Sequence, residues 1–512
     1  MKKYFPAILI IILFLSFFAT LSWNSFSAPF ERDEGEYAYS AWLLRNGGTP
    51  YQDSFLQKPP LIIYTYALGQ TFSPEKVWPP RVLAAIFTFL TSLLVFLIAK
   101  KEWGKYAGIF SAFLFLPMIY FPPLTPFAAN TEKFMLLPTI ALLALFVYCQ
   151  NSQKSWPFIL AGLYSTLAIF YKPISLPVIV FIIIFWLYKK FAQSRNFQVL
   201  VRPIILIGAS AVFSAIILLI PFLKVWPKFF EEVFTFNLSY ASAFANPWGN
   251  FFNYLSKFLH YWWILLFLPF GLFLKKPKKI LYYFILLILS LLTVFSSPIG
   301  HYYLSLMPFL ALLCGALFNS FLELLPNDKQ KNLTTAIVLP IVILFMVAPF
   351  QEQFSMTPAE LSAWVYGTVN PFGEAQIVAN QMAQITKPND LVFVAGSEPQ
   401  IYYYAERQSA TRFDITYPIN LPTPYQEKYQ REAVADLQNN MPKAIVVSER
   451  SMSGLWNEGS PEIFITYLNN LLAKNYQVVG GYVWGDNDTG HWQEPLTSIQ
   501  MPNASLLLFI KK

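Results

Sequence analysis

The sequence predicts an α-helical polytopic membrane protein of about eleven spans followed by a soluble α/β domain. Three observations carry that reading: the composition, the length and spacing of the apolar runs, and a change of pattern after residue 351. Of 512 residues, 55% are hydrophobic and 12% charged, against roughly 25% charged in soluble domains. The mean hydropathy is +0.45. A formal net charge of +8 does not indicate a nucleic-acid partner, because the Lys and Arg residues cluster in short loops between apolar runs, where they report membrane topology. Cys149 and Cys314 each lie inside an apolar run; they read as inert buried thiols and not as a disulfide framework.

Taken in order, Met1-Lys2-Lys3 leads into an apolar stretch ending at Trp23. No small-residue cleavage site follows, and the stretch is long enough to span, so it reads as an uncleaved first helix. Further spans fall at about 82–99, 106–121, 134–149, 157–171, 174–188, 203–223, 259–274, 280–296, 302–321 and 333–350. Tyr171-Lys172-Pro173 divides a short pair. Alternating these spans places Lys2-Lys3, Lys100-Lys101, Lys189-Lys190, Lys275-Lys276-Lys278-Lys279 and Lys329-Lys331 on one side. These segments are brief and basic, so that side is cytoplasmic and the N-terminus with it. The other face then holds a long first loop (24–81), a loop at about 224–258 and everything after residue 351. The expected organisation is a membrane domain over 1–351 and an extracytoplasmic α/β domain over 352–512.

In the tail the apolar runs shorten to strand length, as in Leu391–Ala395, Ala444–Val447 and Leu506–Ile510. Helical patterns lie near 374–386, 426–440 and 461–473. Alternating strands and helices indicate an α/β unit. No G-x-G-x-x-G opens its helices, so a nucleotide site is not expected. The sequence shows no repeat of fixed period and no low-complexity segment.

Charged side chains at a membrane boundary are costly and tend to mark function. The first outer loop concentrates them in Glu31-Arg32-Asp33-Glu34-Gly35-Glu36. An amphipathic helix is expected over Tyr37–Asn46, stopped by Gly47-Gly48. Pro50-Tyr51-Gln52-Asp53 and Gln57-Lys58-Pro59-Pro60-Leu61 follow. Paired prolines suit a helix start, which puts Lys58 where backbone N–H groups and the helix dipole favour an anion. Carboxylates beside such a lysine suit sugar-phosphate chemistry; the same residues also suit a solvated loop with a helix cap.

The ordered stretch Arg32-Asp33-Glu34, Tyr37-Ala38, Ala41, Gly48, Pro50-Tyr51, Asp53 and Lys58-Pro59-Pro60-Leu61 resembles the first periplasmic loop of polyprenyl-phosphate-dependent glycosyltransferases of the GT-C fold. These include protein O-mannosyltransferases and the aminoarabinose transferase of lipid A. Asn130-Thr131-Glu132, Tyr171-Lys172-Pro173 and Pro298-Ile299-Gly300-His301-Tyr302-Tyr303 with Pro308 fit the same family, so the resemblance covers residues 1–350. It implies inverting transfer of a sugar from a polyprenyl-phosphate donor to an extracytoplasmic glycolipid, cell-envelope glycan or protein, in the inner membrane of a bacterium. A phosphate leaves as a stabilised anion, so one base and cationic contacts suffice, where a glycosidase needs an acid as well. Matched motif to motif, Asp33 is the implied base with Glu34 beside it. Lys58 and Tyr302 contact the donor phosphate, with His301 or Tyr303 in place of Tyr302 if the register shifts by one. Glu132 organises acceptor or sugar.

Some residues keep two readings. Lys172 is either a second cation for the phosphate or a side chain reaching the interface. Asp53 is either a member of the site or a turn former. Glu31 and Glu36 read as solvated loop charges, His260 as part of an aromatic belt and His491 as non-catalytic; His301 stays open. Asp486-Asn487-Asp488 lacks the glycine and distal glutamate of an EF-hand and reads as a polar turn. No metal or other cofactor is expected. The competing class is a polytopic transporter or lipid flippase. Charges gathered at span ends, with no internal repeat, favour chemistry at the surface over passage through the membrane.

Overall fold

The structure is a computed structural model, which describes residues 5–242, 246–263, 277–484, 490–497 and 500–512. The chain forms two compact units. The first comprises Met1–Phe26, Arg81–Ile220 and Asn246–Met356; the second comprises Ser27–Pro80, Pro221–Ala245 and Thr357–Lys512.

The first unit is helical. Among the described residues, seven helices are long and apolar enough to cross a membrane, and Lys105–Ile119 and Trp156–Tyr171 are shorter apolar helices. Apolar side chains on Gln198–Leu219, Phe213 at 66% exposure among them, are what a lipid-facing helix presents. Thr131–Cys149 and Met307–Leu322 are largely enclosed. Helices pack closely where a small residue permits it: a Cβ on Gly162 would collide with the Ile207 carbonyl. Most of the expected span at 259–274 lies outside the described residues.

Basic helix ends gather at one end of this unit. Lys279 Nζ is 2.8 Å from Glu102 Oε2, Tyr106 donates to Asn332 Oδ1 at 2.9 Å, and Lys190 Nζ donates to the Ser152 carbonyl at 2.7 Å. Trp156–Tyr171 stops because Lys172, preceding Pro173, is extended (φ −158°, ψ 122°).

The second unit is α/β, with the first outer loop built into it. Among the described residues its five strands are β1 (Val392–Ala395), β2 (Ala444–Ser448), β3 (Tyr476–Trp484), β4 (Gly490–Gln493) and β5 (Ala504–Lys511), in the order β1-β2-β5-β3-β4. β1 and β2 run parallel; the remaining pairs are antiparallel. Helices Phe372–Ile385, Gln426–Asn439 and Ile463–Asn475 occupy the three stretches the sequence marks as helical. Strands β3 and β4 fall outside the strand-length runs read from the sequence, and β3 carries the pair Gly480-Gly481. The pair marks a bulge, where a Cβ on Gly480 would lie 2.6 Å from the Gln493 carbonyl.

The core of this unit joins all three of its segments. Phe55 and Phe236 are buried among Phe393, Phe413, Tyr429 and Phe464. The first outer loop therefore folds around side chains from the tail.

Candidate active site

The acidic motif opens a helix, Arg32–Arg45, five residues earlier than the amphipathic pattern suggests. The reason is a capping box. The Glu31 side chain accepts from Asp33 N at 3.1 Å and Glu34 N at 3.2 Å, while Glu34 Oε2 accepts from Glu31 N at 3.4 Å. The Glu34 carboxylate thus serves the cap. The Asp33 carboxylate stands half-buried in the same turn, where the helix N-terminus favours its anion.

Glu31 and Glu36 are not solvated, contrary to the sequence reading; they are 6% and 1% exposed. Within the second unit this helix packs against Leu61–Phe72 on one side and Gln400–Ala405 on the other, so nearly its whole circumference is covered. Gly35 allows the second contact, since a Cβ there would lie 2.6 Å from Gln400 N. Arg32 fixes the entry, donating Nε to the Ser397 carbonyl at 2.5 Å and Nη2 to Glu398 Oε1 at 2.8 Å. Burial raises the pKa of Glu31 well above the usual carboxylate range, and the Asp33 and Glu34 charges add to the rise. Burial does the same to Glu36, opposed by Lys58.

Lys58 is 7% exposed. Its Nζ is 3.9 Å from Glu36 Oε2 and 5.9 Å from the centroid of the Tyr37 ring. Helix Leu61–Phe72 begins after N-cap Pro60, so Lys58 precedes the helix and does not occupy its first turn. Asp53 Oδ2 accepts the Thr49 N–H at 2.7 Å, the turn-forming arrangement.

The first unit holds a second charged cluster. Glu132 lies in the first turn of Thr131–Cys149 and is fully buried. Its Oε1 forms an ion pair with Lys172 Nζ and lies 3.9 Å from His301 Nε2; its Oε2 accepts from Thr131 Oγ1 at 3.2 Å. Lys172 Nζ sits 3.2 Å from the centroid of the Tyr302 ring. At 5% exposure, Lys172 belongs to this cluster and does not reach for the interface. Tyr303 has a different role: its hydroxyl donates to the Phe295 carbonyl at 3.1 Å and its ring packs on Tyr254, centroids 4.3 Å apart.

The structure therefore sets Asp33, Glu34, Asp53 and Lys58 in the second unit and Glu132, Lys172, His301 and Tyr302 in the first. Sequence reasoning missed Glu36 as the partner of Lys58; the signal was the charge spacing along the helix, hidden because the motif looked like an exposed loop. His260 and His491 are exposed and lie in neither cluster. Asp486-Asn487-Asp488 falls outside the described residues. Among the described residues no group of three His, Cys, Asp or Glu side chains is placed to hold a metal ion.

Residues 57–226 match the family model described as dolichyl-phosphate-mannose-protein mannosyltransferase. Lys58, Glu132 and Lys172 fall inside that stretch. No curated protein matches the chain. Among solved structures, the chain is similar to ArnT from Cupriavidus metallidurans bound to undecaprenyl phosphate, at 14% identity and TM-score 0.60, over 99% of this chain and 98% of that one. It is similar to the Archaeoglobus fulgidus oligosaccharyltransferase tethered to an acceptor peptide, at 12% identity and TM-score 0.54, over 97% and 74% of the two chains. A further likeness is to that organism's AglB in complex with an inhibitory peptide and a dolichol-phosphate, at 12% identity and TM-score 0.52, over 100% and 76%. These likenesses give the chain the GT-C fold that its sequence predicts.

Proposed function

We propose that this protein is an inverting glycosyltransferase that moves a sugar from a polyprenyl-phosphate donor to an acceptor on the outer face of the cytoplasmic membrane. The observation that supports it most is the pair of buried lysines, Lys58 and Lys172, each beside a carboxylate and an aromatic ring. The same fold occurs in ArnT bound to undecaprenyl phosphate. Burying an ammonium group is expensive, and a buried cation at a membrane boundary is retained when it meets an anion.

In this reading the anomeric carbon is attacked by an acceptor oxygen or nitrogen from the side opposite the phosphate. The new bond forms as the carbon–oxygen bond to the phosphate breaks. The bonding pair leaves with polyprenyl phosphate, and the acceptor proton passes to the Asp33 carboxylate, which lies in the first turn of its helix. Lys58 in the second unit, and Lys172 with Tyr302 in the first, are each read as contacts that stabilise the departing phosphate, with His301 near Glu132 in the first unit. Glu132 orients Lys172 and the acceptor or sugar. Glu34 and Asp53 hold the helix cap and the turn that carry this machinery. The reaction needs no metal or organic cofactor. An apolar cleft of about 420 Å³ lined by Phe14, Phe89, Phe96 and Phe113 in the first unit suits an isoprenoid chain. The N-terminus lies in the cytoplasm and the tail outside it.

Purified protein in nanodiscs, screened against synthetic polyprenyl-phosphate sugars, tests the reading. Binding of one donor with release of polyprenyl phosphate and a product of inverted anomeric configuration is expected. Failure to bind any such lipid would pass the protein to the transporter class.

A further inference from the structure

The segment that carries Lys58 runs between two helices without belonging to a helix or strand, yet every residue from Ser54 to Lys58 is tied down. Ser54 Oγ is 3.0 Å from Ser40 Oγ. The Phe55 N–H donates to Asp414 Oδ1 at 2.9 Å, and the Leu56 N–H to Glu232 Oε2 at 2.8 Å. The Gln57 carbonyl accepts from Asn237 Nδ2 at 2.7 Å, and the Lys58 carbonyl from the Tyr51 hydroxyl at 2.9 Å. All of these residues belong to the second unit.

Two of the anchors are carboxylates with no exposed surface, which a fold retains only when they are paired or needed. Glu232 is held in place by Arg412, whose Nη1 lies 2.5 Å from Glu232 Oε1 while its Nε lies 2.6 Å from Glu432 Oε1. Asp414 has weaker support: its Oδ2 is buried with no hydrogen-bond partner among the described residues. Two residues from Arg412, it gives its one good acceptor to the strap. Tyr51 takes a left-handed backbone (φ 70°) to place its ring edge-on to Phe222 and Phe229 and its hydroxyl under Lys58. A non-glycine residue held there is strained, and the packing around it sustains the strain.

Resting on the proposed reading of Lys58 as a donor-phosphate contact, we infer that Asp414, the Glu232–Arg412 pair and Asn237 are positioning residues that hold the strap 54–58 so that Lys58 meets the phosphate without reorganising. None of them touches the reacting atoms. Together they make the tail and the segment near residue 232 part of the donor site. Holding a cation rigidly in its binding geometry raises affinity by removing the cost of ordering it on binding.

The test is a double-mutant cycle on the full-length protein in nanodiscs, with undecaprenyl phosphate as probe and its dissociation constant as readout. Asp414→Ala should weaken binding roughly tenfold in the wild-type background and have almost no further effect in Lys58→Ala, because the two act through one contact. Asp414→Asn keeps an acceptor for the Phe55 N–H and should restore most of the affinity. Asn237→Ala, at a half-buried site, runs the same cycle if Asp414→Ala does not fold. Equal losses with and without Lys58 would overturn the inference while leaving the functional reading intact. A wild type that does not bind the lipid would overturn both.

Discussion

Glu132 and Lys172 are worth more as a pair than either is alone. Both are buried, and removing one partner leaves an uncompensated charge at a cost of about 3–5 kcal/mol, whereas replacing both with uncharged groups is often tolerated. Glu132→Gln should therefore lower the melting temperature sharply, and adding Lys172→Met should recover most of it without recovering transfer. Thermal unfolding and turnover measured on the same samples separate the two effects; activity in the double variant would remove Lys172 from the mechanism. Asp414 makes a prediction of the opposite kind. Burial pushes its carboxyl from the ordinary 3.8 up to about 8, partly countered by the Phe55 N–H and by Arg412. The folded state thus keeps a proton that the unfolded chain gives up near pH 4. Its contribution to stability is full below about pH 4, declines as pH rises and is gone above about pH 8. Asp414→Asn cannot lose a proton, so its melting temperature should gain on that of wild type between those limits. A constant difference across the range would show that Asp414 does not hold its proton in the folded state. Neither Asp414 nor Arg412 stood out in the sequence, because their partners are distant along the chain: Phe55 lies 359 residues from Asp414 and Glu232 lies 180 residues from Arg412.

At the scale of elements, one helix carries most of the argument. Arg32–Arg45 needs a cap at Glu31 and a close approach to Gln400–Ala405 at Gly35. Gly35→Ala puts a methyl group 2.6 Å from Gln400 N and 2.9 Å from its Cβ, an overpacking that costs about 1–3 kcal/mol. It should lower the melting temperature and, by shifting Asp33, reduce turnover. Gly373→Ala, with nothing within 4 Å of the added atom, serves as control and should do neither. Equal behaviour of the two variants would contradict the packing described here. The helix itself was half legible. Apolar spacing marked its second half, but its acidic first turn looked like exposed loop, because the helices that cover it, Leu61–Phe72 and Gln400–Ala405, are brought there only by the fold. The membrane helices were far easier to read, since length and apolar content decide them locally. The β3–β4 hairpin was not read from the sequence, and the bulge at its Gly480-Gly481 depends on the strand opposite.

For the whole molecule, the sequence divides at residue 351 by composition, while the folded chain assembles its α/β unit from Ser27–Pro80, Pro221–Ala245 and Thr357–Lys512. The tail cannot then be an appendage. Phe55 and Phe236 sit in its core, and the loop bearing the acidic motif is folded around it. Composition could not reveal this, because it reports what each segment is made of and not which segments share a core. The protein is a multi-pass membrane protein of the GT-C fold, and the central claim is that it transfers sugar from a lipid phosphate with Asp33 as base. The most direct measurement is release of polyprenyl phosphate from synthetic polyprenyl-phosphate sugars, wild type beside Asp33→Asn, with melting temperatures recorded for both. The account expects release by wild type, a loss of about 100-fold or more in the variant and matching melting temperatures. Undiminished release by Asp33→Asn would contradict it.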